Sequence, residues 1–285
     1  MIVGVFSQTV VVPHAKQIHY SRNTMTEKMK TIEESVVIAM DGSEKELFPF
    51  LPYILQDLWE IGADPTAIIK LISKHFDNYA DLNVLDLGCG KGAVSVKVSK
   101  ALGCRSYGID AIPEFIEFAQ QKANEFKVKH LCTFETGDIR EKVKELSGYD
   151  IIILGAIGPV FGDYFATLTT LSKCINKNGV FIIDDGYIDD NSNYSHPLMF
   201  KKNTIMQQID KAGMELVEND IMEREDIKDS DDYIIENLKK RCYELIDKYP
   251  DKQKIFLDYI KKQEVENDVL ENKVIGTTMV IKIKN

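Results

Sequence analysis

The chain of 285 residues has little of what marks membrane, secreted or nucleic-acid-binding proteins. No uninterrupted apolar run approaches the ~20 residues that a helical bilayer span needs. The opening "MIVGVFSQTVVVPHA" is apolar, but it lacks a basic flank and is broken by Ser7, Gln8 and Thr9, which argues against both a signal peptide and a span. A peripheral strand or a leader ahead of Met25 and Met29 is the expectation there. Five cysteines (Cys89, Cys104, Cys132, Cys174, Cys242) stand singly, with no C-x-x-C pair and no histidine at finger spacing, so neither a disulfide framework nor a zinc site is indicated. A reducing cytoplasm fits that usage. Basic charge is also short: 35 Lys and Arg face 45 Asp and Glu, a net charge of −10. Such a chain has no field to gather phosphate backbones or anionic lipid, which leaves small molecules as the expected partners. Nucleic acid and membrane are not expected, and the sequence does not fix an oligomeric state.

What is present is a core. A hydrophobic content of 44% in a chain of this length suits one α/β domain with an extension. Residues 1–80 read as a leader and a helical cap. A helical pattern runs from Thr26 to about Met40, another is expected over Pro52–Ile61, and a third opens with Asp64 as N-cap and Pro65 at its first position. Residues 81–285 then alternate strands with amphipathic helices, the pattern of a mostly parallel sheet wound on both faces. Strands are read at Val84–Leu87, Ser106–Ile109, Thr133–Glu135, Ile151–Gly155 and Val180–Asp184, with helices at Ala93–Leu102, Pro113–Phe126, Phe161–Cys174 and Lys201–Ala212. "MELVEND" and "IGTTMVIKIK" add two strands, and between them a charged helical insertion, about 229–268, breaks at Pro250. A charged run of this kind usually presents a solvated face.

The chemistry concentrates in "NVLDLGCGKGAVSV", Asn83 to Val96: a short strand, a glycine turn, then a helix. Gly88, Gly90 and Ala93 satisfy G-x-G-x-x-G/A, so a dinucleotide has to be weighed, and with it an NAD-dependent oxidoreductase. Two neighbours pull away from that reading. Asp86 sits at the strand end, where its charge repels a pyrophosphate and attracts an ammonium group, and Gly92 makes the turn G-x-G-x-G. No G-K-[ST] follows, which excludes a Walker loop.

"VLDLGCGKG" resembles the glycine-rich signature of the class I S-adenosylmethionine-dependent methyltransferases. The resemblance covers residues 80–285 in outline, with specific motifs between Asp86 and Gly155. It implies a doubly wound, seven-stranded Rossmann-like methyltransferase fold, and S-adenosylmethionine as cofactor with S-adenosylhomocysteine as product. It also implies a cofactor site made from Asp86, Gly88, Cys89, Gly90, Gly92, Asp110, Ala111, Asp138, Ile139 and Gly155. Asp110 in "YGIDAIPEF" would receive the ribose hydroxyls, Asp138 in "FETGDIRE" the adenine amino group, and Ile112 and Ile139 would flank the base. Each acid has a plainer alternative: a cap for Asp86, a turn for Asp110, an N-cap for Asp138.

Direct in-line methyl transfer needs positioning and desolvation more than a catalytic triad, and none is visible. The [DN]-P-P-[FY] tetrad expected of amino-directed nucleic-acid methyltransferases is absent from "LGAIGPVFGDY", which disfavours adenine or cytosine as acceptor. No metal is expected: Gly155 and Ala156 stand where a catechol-type enzyme would place an aspartate, although Asp184 and Asp185 end the next strand. For a small-molecule acceptor the candidates are Asp184, Asp185 and Tyr187 in "IDDGYIDDNSNYSHP", with Tyr53 from the cap. His196 is the candidate proton acceptor, or else a residue at the start of the next helix. A non-catalytic module that only binds S-adenosylmethionine is the remaining alternative.

Overall fold

The structure, a computed structural model, describes residues 30–284. The expectations for the leader, and for the first helix ahead of Thr31, lie outside the described residues. The chain from Thr31 onward forms one compact unit.

Helix α1 (Ile32–Ala39) starts at a capping box, in which Thr31 Oγ1 accepts from Glu34 N–H and the Glu34 carboxylate accepts from Thr31 N–H. A 3₁₀ turn over Lys45–Phe50 holds Pro49 and runs into the short α2 (Leu51–Ile54). The helix expected to continue to Ile61 stops here for a tertiary reason. A continuing helix would give the carbonyls of Leu55 and Leu58 to amides one turn on; instead both accept from the buried ammonium of Lys91, at 2.5 and 2.6 Å. Helix α3 (Pro65–His75) begins as its sequence prescribes, with the Asp64 carboxylate accepting from Thr66 and Ala67 N–H.

Strands and helices then alternate: β1 (Asn83–Leu87), α4 (Ala93–Leu102), β2 (Arg105–Asp110), α5 (Pro113–Glu125), β3 (Cys132–Thr136), α6 (Ile139–Lys142), β4 (Tyr149–Gly155) and α7 (Tyr164–Leu171). They continue as β5 (Ile175–Tyr187), α8 (Lys202–Lys211), β6 (Met214–Ile221), α9 (Arg224–Lys248), α10 (Gln253–Asn272) and β7 (Ile275–Ile283). Helix α7 is shorter than expected because Asp163, not Phe161, caps it, its carboxylate accepting from Ala166 N–H at 2.8 Å. The turn "NKNG" lies inside β5, at a register shift between Tyr149 and Ile151 of β4. Helix α8 starts at Lys202, so His196 is not at its beginning.

Among the described residues the strands form one seven-stranded sheet, ordered β3-β2-β1-β4-β5-β7-β6, with β7 antiparallel between β5 and β6. This is the doubly wound, mostly parallel sheet expected from the sequence. One face packs α7 and α8 against Leu87, Leu154 and Phe181; the other packs α3 and α4 against Val84, Ile153 and Ile182. The order reverses direction between β1 and β4, and ligands of open α/β sheets bind outside the strand carboxyl ends at that switch.

A separate helical core covers that end. Val37, Leu47, Leu51 and Ile54 of the N-terminal segment interlock with Leu238, Cys242, Leu245, Phe256 and Ile260 of α9 and α10. Phe50 meets Phe256 edge-on at 5.0 Å and Tyr249 at 5.5 Å; each fully buried apolar side chain of this size contributes about 1.5–3 kcal/mol. Cap and insertion, far apart in sequence, are thus one layer. No helix among the described residues is long and apolar enough to cross a membrane.

Candidate functional site

The glycine turn is shaped by its backbone. Gly88, Gly90 and Gly92 all have positive φ (72°, 51° and 72°), and the N–H groups of Gly88 and Cys89 both donate to Ile109 O of β2. A Cβ on Gly90 would meet no protein atom within 4 Å; the glycine keeps that space clear for something else. A Cβ on Gly92 would come within 2.7 Å of Ala119 Cβ, so Gly92 is needed for packing and for entry into α4.

Three acids stand at the ends of three adjacent strands. Asp86 on β1 is 2% exposed and accepts from Ser95 Oγ at 2.6 Å. Burial pushes its pKa up to about 6, with the charge of Asp110 adding to the rise. Asp110 on β2 accepts from Gly90 N–H through Oδ2 and from Ile112 N–H through Oδ1, both at 2.9 Å. It therefore braces the turn while keeping a lone pair on each oxygen; burial raises its pKa too. Asp138 caps α6 through Arg140 N–H and is gripped by the Arg140 guanidinium at 2.6–3.0 Å, which holds its carboxyl below the usual range. The N-cap alternative for Asp138 is therefore present in the structure.

A cavity of about 290 Å³ opens between this rim and the helical layer. Nine of the ten residues expected at a cofactor line it: Asp86, Gly88, Cys89, Gly90, Asp110, Ala111, Asp138, Ile139 and Gly155. Gly92 does not, for the packing reason above. Ile112 does not either; it is buried in the helical core. The helical layer closes the other side with Met40, Leu238 and Asn267 among others.

A second cavity, of about 630 Å³, lies beyond the ends of β4 and β5. Asp184, Asp185 and His196 line it, and four residues (Ala39, Asp41, Ile157 and Glu266) line both cavities, so the two are neighbours. Asp184 accepts from Thr278 Oγ1 at 2.8 Å, and burial lifts its pKa to about 7. Asp185 opens on the cavity and accepts from Tyr164 OH and Gly186 N–H, both at 2.7 Å. Asp41, in the left-handed region at φ 57°, has its pKa pushed up to about 6 by burial and by Glu266. His196 Nδ1 accepts from Leu198 N–H at 3.3 Å.

Two expected acceptor residues are not brought here. Tyr53 is 41% exposed on the outside of the cap, donating to Glu244 at 2.6 Å, because its helix ends before reaching the rim. Tyr187 is 4% exposed and lines neither cavity; its ring lies 5.4 Å from the Lys202 ammonium. The charged insertion also differs from a solvated face, since Asp231 and Glu266 point to the site. Asp231 Oδ2 is the one fully buried side-chain polar atom without a hydrogen-bond partner among the described residues. Sequence reasoning missed Tyr164, Asp41, Asp231 and Glu266. The Asp-Gly at Asp41 is legible as a turn, whereas Tyr164 falls within the helix expected over Phe161–Cys174, and nothing local marks either as facing a cavity.

An open α/β sheet with a glycine turn and acids at its switch point defines a nucleoside-binding enzyme domain. The profile of the methyltransferase-domain family matches residues 78–249, and the chain belongs to that family. Among curated relatives it is 31% identical over 152 residues to a ribosomal protein L11 methyltransferase of Lachnospira eligens, covering 50% of this chain and 45% of that one. It is 30% identical over 116 residues to a ubiquinone biosynthesis O-methyltransferase of Rickettsia canadensis, covering 41% and 48%. The chain spans about half the length of these relatives. A solved S-adenosylmethionine-dependent methyltransferase from Geobacter sulfurreducens, in complex with S-adenosylhomocysteine, superposes with a TM-score of 0.67 at 16% identity, over 83% of this chain and 98% of that one. At that identity the likeness concerns the fold.

Proposed function

We propose that the protein transfers a methyl group from S-adenosylmethionine, held in the smaller cavity, to a small molecule held in the larger one. The observation that carries this reading is adjacency: Ala39, Asp41, Ile157 and Glu266 wall both cavities, so the two lie side by side at the carboxyl end of the sheet. The smaller cavity suits the cofactor by its donor set. Asp110 offers two backbone-anchored oxygens for a ribose, the clear space at Gly90 admits a close approach, and Asp86 supplies negative charge toward an ammonium. When bound, the cofactor supplies an electrophilic methyl on a sulfonium. The chain's own part is to align the nucleophile with the S–CH₃ bond and to exclude water, and the helical layer over the strand ends serves both. Where the acceptor must lose a proton, His196 is the candidate to take it, through Nε2, because Nδ1 is engaged by Leu198.

A small acceptor is favoured over a protein by the second cavity, whose ~630 Å³ falls within the usual ~300–1,000 Å³ of small-ligand sites. Five free, buried thiols support a reducing, cytoplasmic setting. Calorimetry with S-adenosylhomocysteine and with NADH separates this reading from an oxidoreductase: binding of the first alone is expected, and binding of NADH alone would reverse the choice. Release of S-adenosylhomocysteine from the cofactor in the presence of small acceptors, but not of ribosomal protein, would distinguish the two acceptor classes. No turnover with either would leave a binding module. In the His196→Ala variant kcat is expected to fall about 10²-fold with unchanged cofactor affinity; full activity would return His196 to its turn.

A further inference from the structure

We propose that the methyl acceptor carries a basic nitrogen, and that Asp185 receives it as a cation on the floor of the larger cavity. The inference rests on reading that cavity as the acceptor site. Asp185 is built as a receptor: Oδ2 accepts from Tyr164 OH and Oδ1 from Gly186 N–H, so its orientation is fixed from two sides by neutral donors. Tyr164, on α7, is itself only 7% exposed and has little freedom to swing away. No Lys, Arg or His among the described residues forms an ion pair with Asp185. Asp185 is exposed through the cavity, while the protein packed around it raises its pKa. A carboxylate presented to a cavity in a fixed orientation, with no protein cation paired to it, can receive a ligand's cation in a charge-assisted hydrogen bond.

The methyl donor does not meet this need, because Asp185 and Tyr164 line the larger cavity and not the one bearing the glycine turn. Nor do the basic groups of the cavity wall. Lys261, Lys262 and His196 line it, but none of them forms an ion pair with Asp185, and the charges of Lys262 and His196 act on Asp41, which Glu266 also faces. The wall also carries Leu154, Phe161, Ile183 and Met199, which offer contact to a carbon frame. The matching ligand is a compact organic amine with an apolar body; an anionic or purely apolar acceptor would leave Asp185 unpaired.

The test uses the full chain saturated with S-adenosylhomocysteine and measures thermal stabilisation by matched sets of compounds that share one carbon frame and end in an amine, an alcohol or a carboxylate. Amines are expected to be the ligands that stabilise. Asp185→Asn, which keeps the shape and removes the charge, is expected to weaken amine binding on the order of tenfold or more. Tyr164→Phe, which frees the carboxylate without removing it, is expected to weaken it less. Unchanged stabilisation of both variants by S-adenosylhomocysteine would show that they fold. The proposal is overturned if alcohols or carboxylates bind as well as amines, if no amine binds, or if amine binding survives Asp185→Asn. A wild-type protein that S-adenosylhomocysteine fails to stabilise would instead overturn the methyl-donor reading itself.

Discussion

Asp110 has a structural task and, in the proposed reading, a binding one. Its two oxygens fix the N–H groups of Gly90 and Ile112, and the same oxygens face the smaller cavity. Asp110→Ala is expected to weaken S-adenosylhomocysteine binding by about 1.5–3 kcal/mol, the value of hydrogen bonds to a charged group, measured by calorimetry. An unchanged dissociation constant in a folded variant would remove Asp110 from the site. Asp138 stands on different ground: its carboxylate is already satisfied by Arg140, which in turn donates to Ser35 of α1 at 3.0 Å. That acid ties the cap to the rim, whatever it also does for a base.

Lys91 couples two elements that sequence separates. The residue is 4% exposed; its ammonium donates to the carbonyls of Leu55 and Leu58 and lies 4.9 Å from the Phe118 ring, while its own carbonyl accepts from Trp59 Nε1 at 3.0 Å. The cap is thus pinned to the glycine turn by bonds running both ways. Lys91→Met keeps the aliphatic bulk but strands two carbonyls, each costing about 1–3 kcal/mol when left buried and unpaired. The expected outcome is faster amide hydrogen exchange over residues 51–61 together with weaker S-adenosylhomocysteine binding. Unaltered exchange would mean that the helical core holds the cap without this pin.

At the scale of the whole molecule, acids with raised pKa values collect at one end of the sheet, Asp86 and Asp184 buried, Asp231 half-buried and Asp41 exposed. Asp41, Asp86 and Asp231 have pKa values pushed up to about 6 and Asp184 to about 7, chiefly by burial. A carboxyl whose folded pKa exceeds its unfolded value, near 4, binds more protons folded than unfolded between the two. Its contribution to stability is complete below about pH 4 and is lost as pH rises through 6 to 7. The surface carboxylates held low by partners, such as Glu135 and Glu218, are already ionised above pH 5 and add no slope there. The melting temperature of the unliganded protein is therefore expected to fall from pH 5 to pH 8, with a shallower fall in Asp184→Asn. A melting temperature that rises across that range would show these acids to be paired or hydrated.

The alternation of strands and helices, the cap at Asp64 and the glycine turn with its acids are legible in the residues alone, because those follow from local geometry and periodicity along a few positions, while the cap at Asp138 is one of two readings that the residues allow. Tertiary packing settles that the helix after Leu51 breaks at Lys91's carbonyl partners and that Tyr53 stays outside. It alone turned the charged insertion's Asp231 and Glu266 inward and set Tyr164 against Asp185. Those outcomes depend on long-range packing between cap and insertion and on how a buried charge finds its partners, and no window of neighbouring residues carries that information.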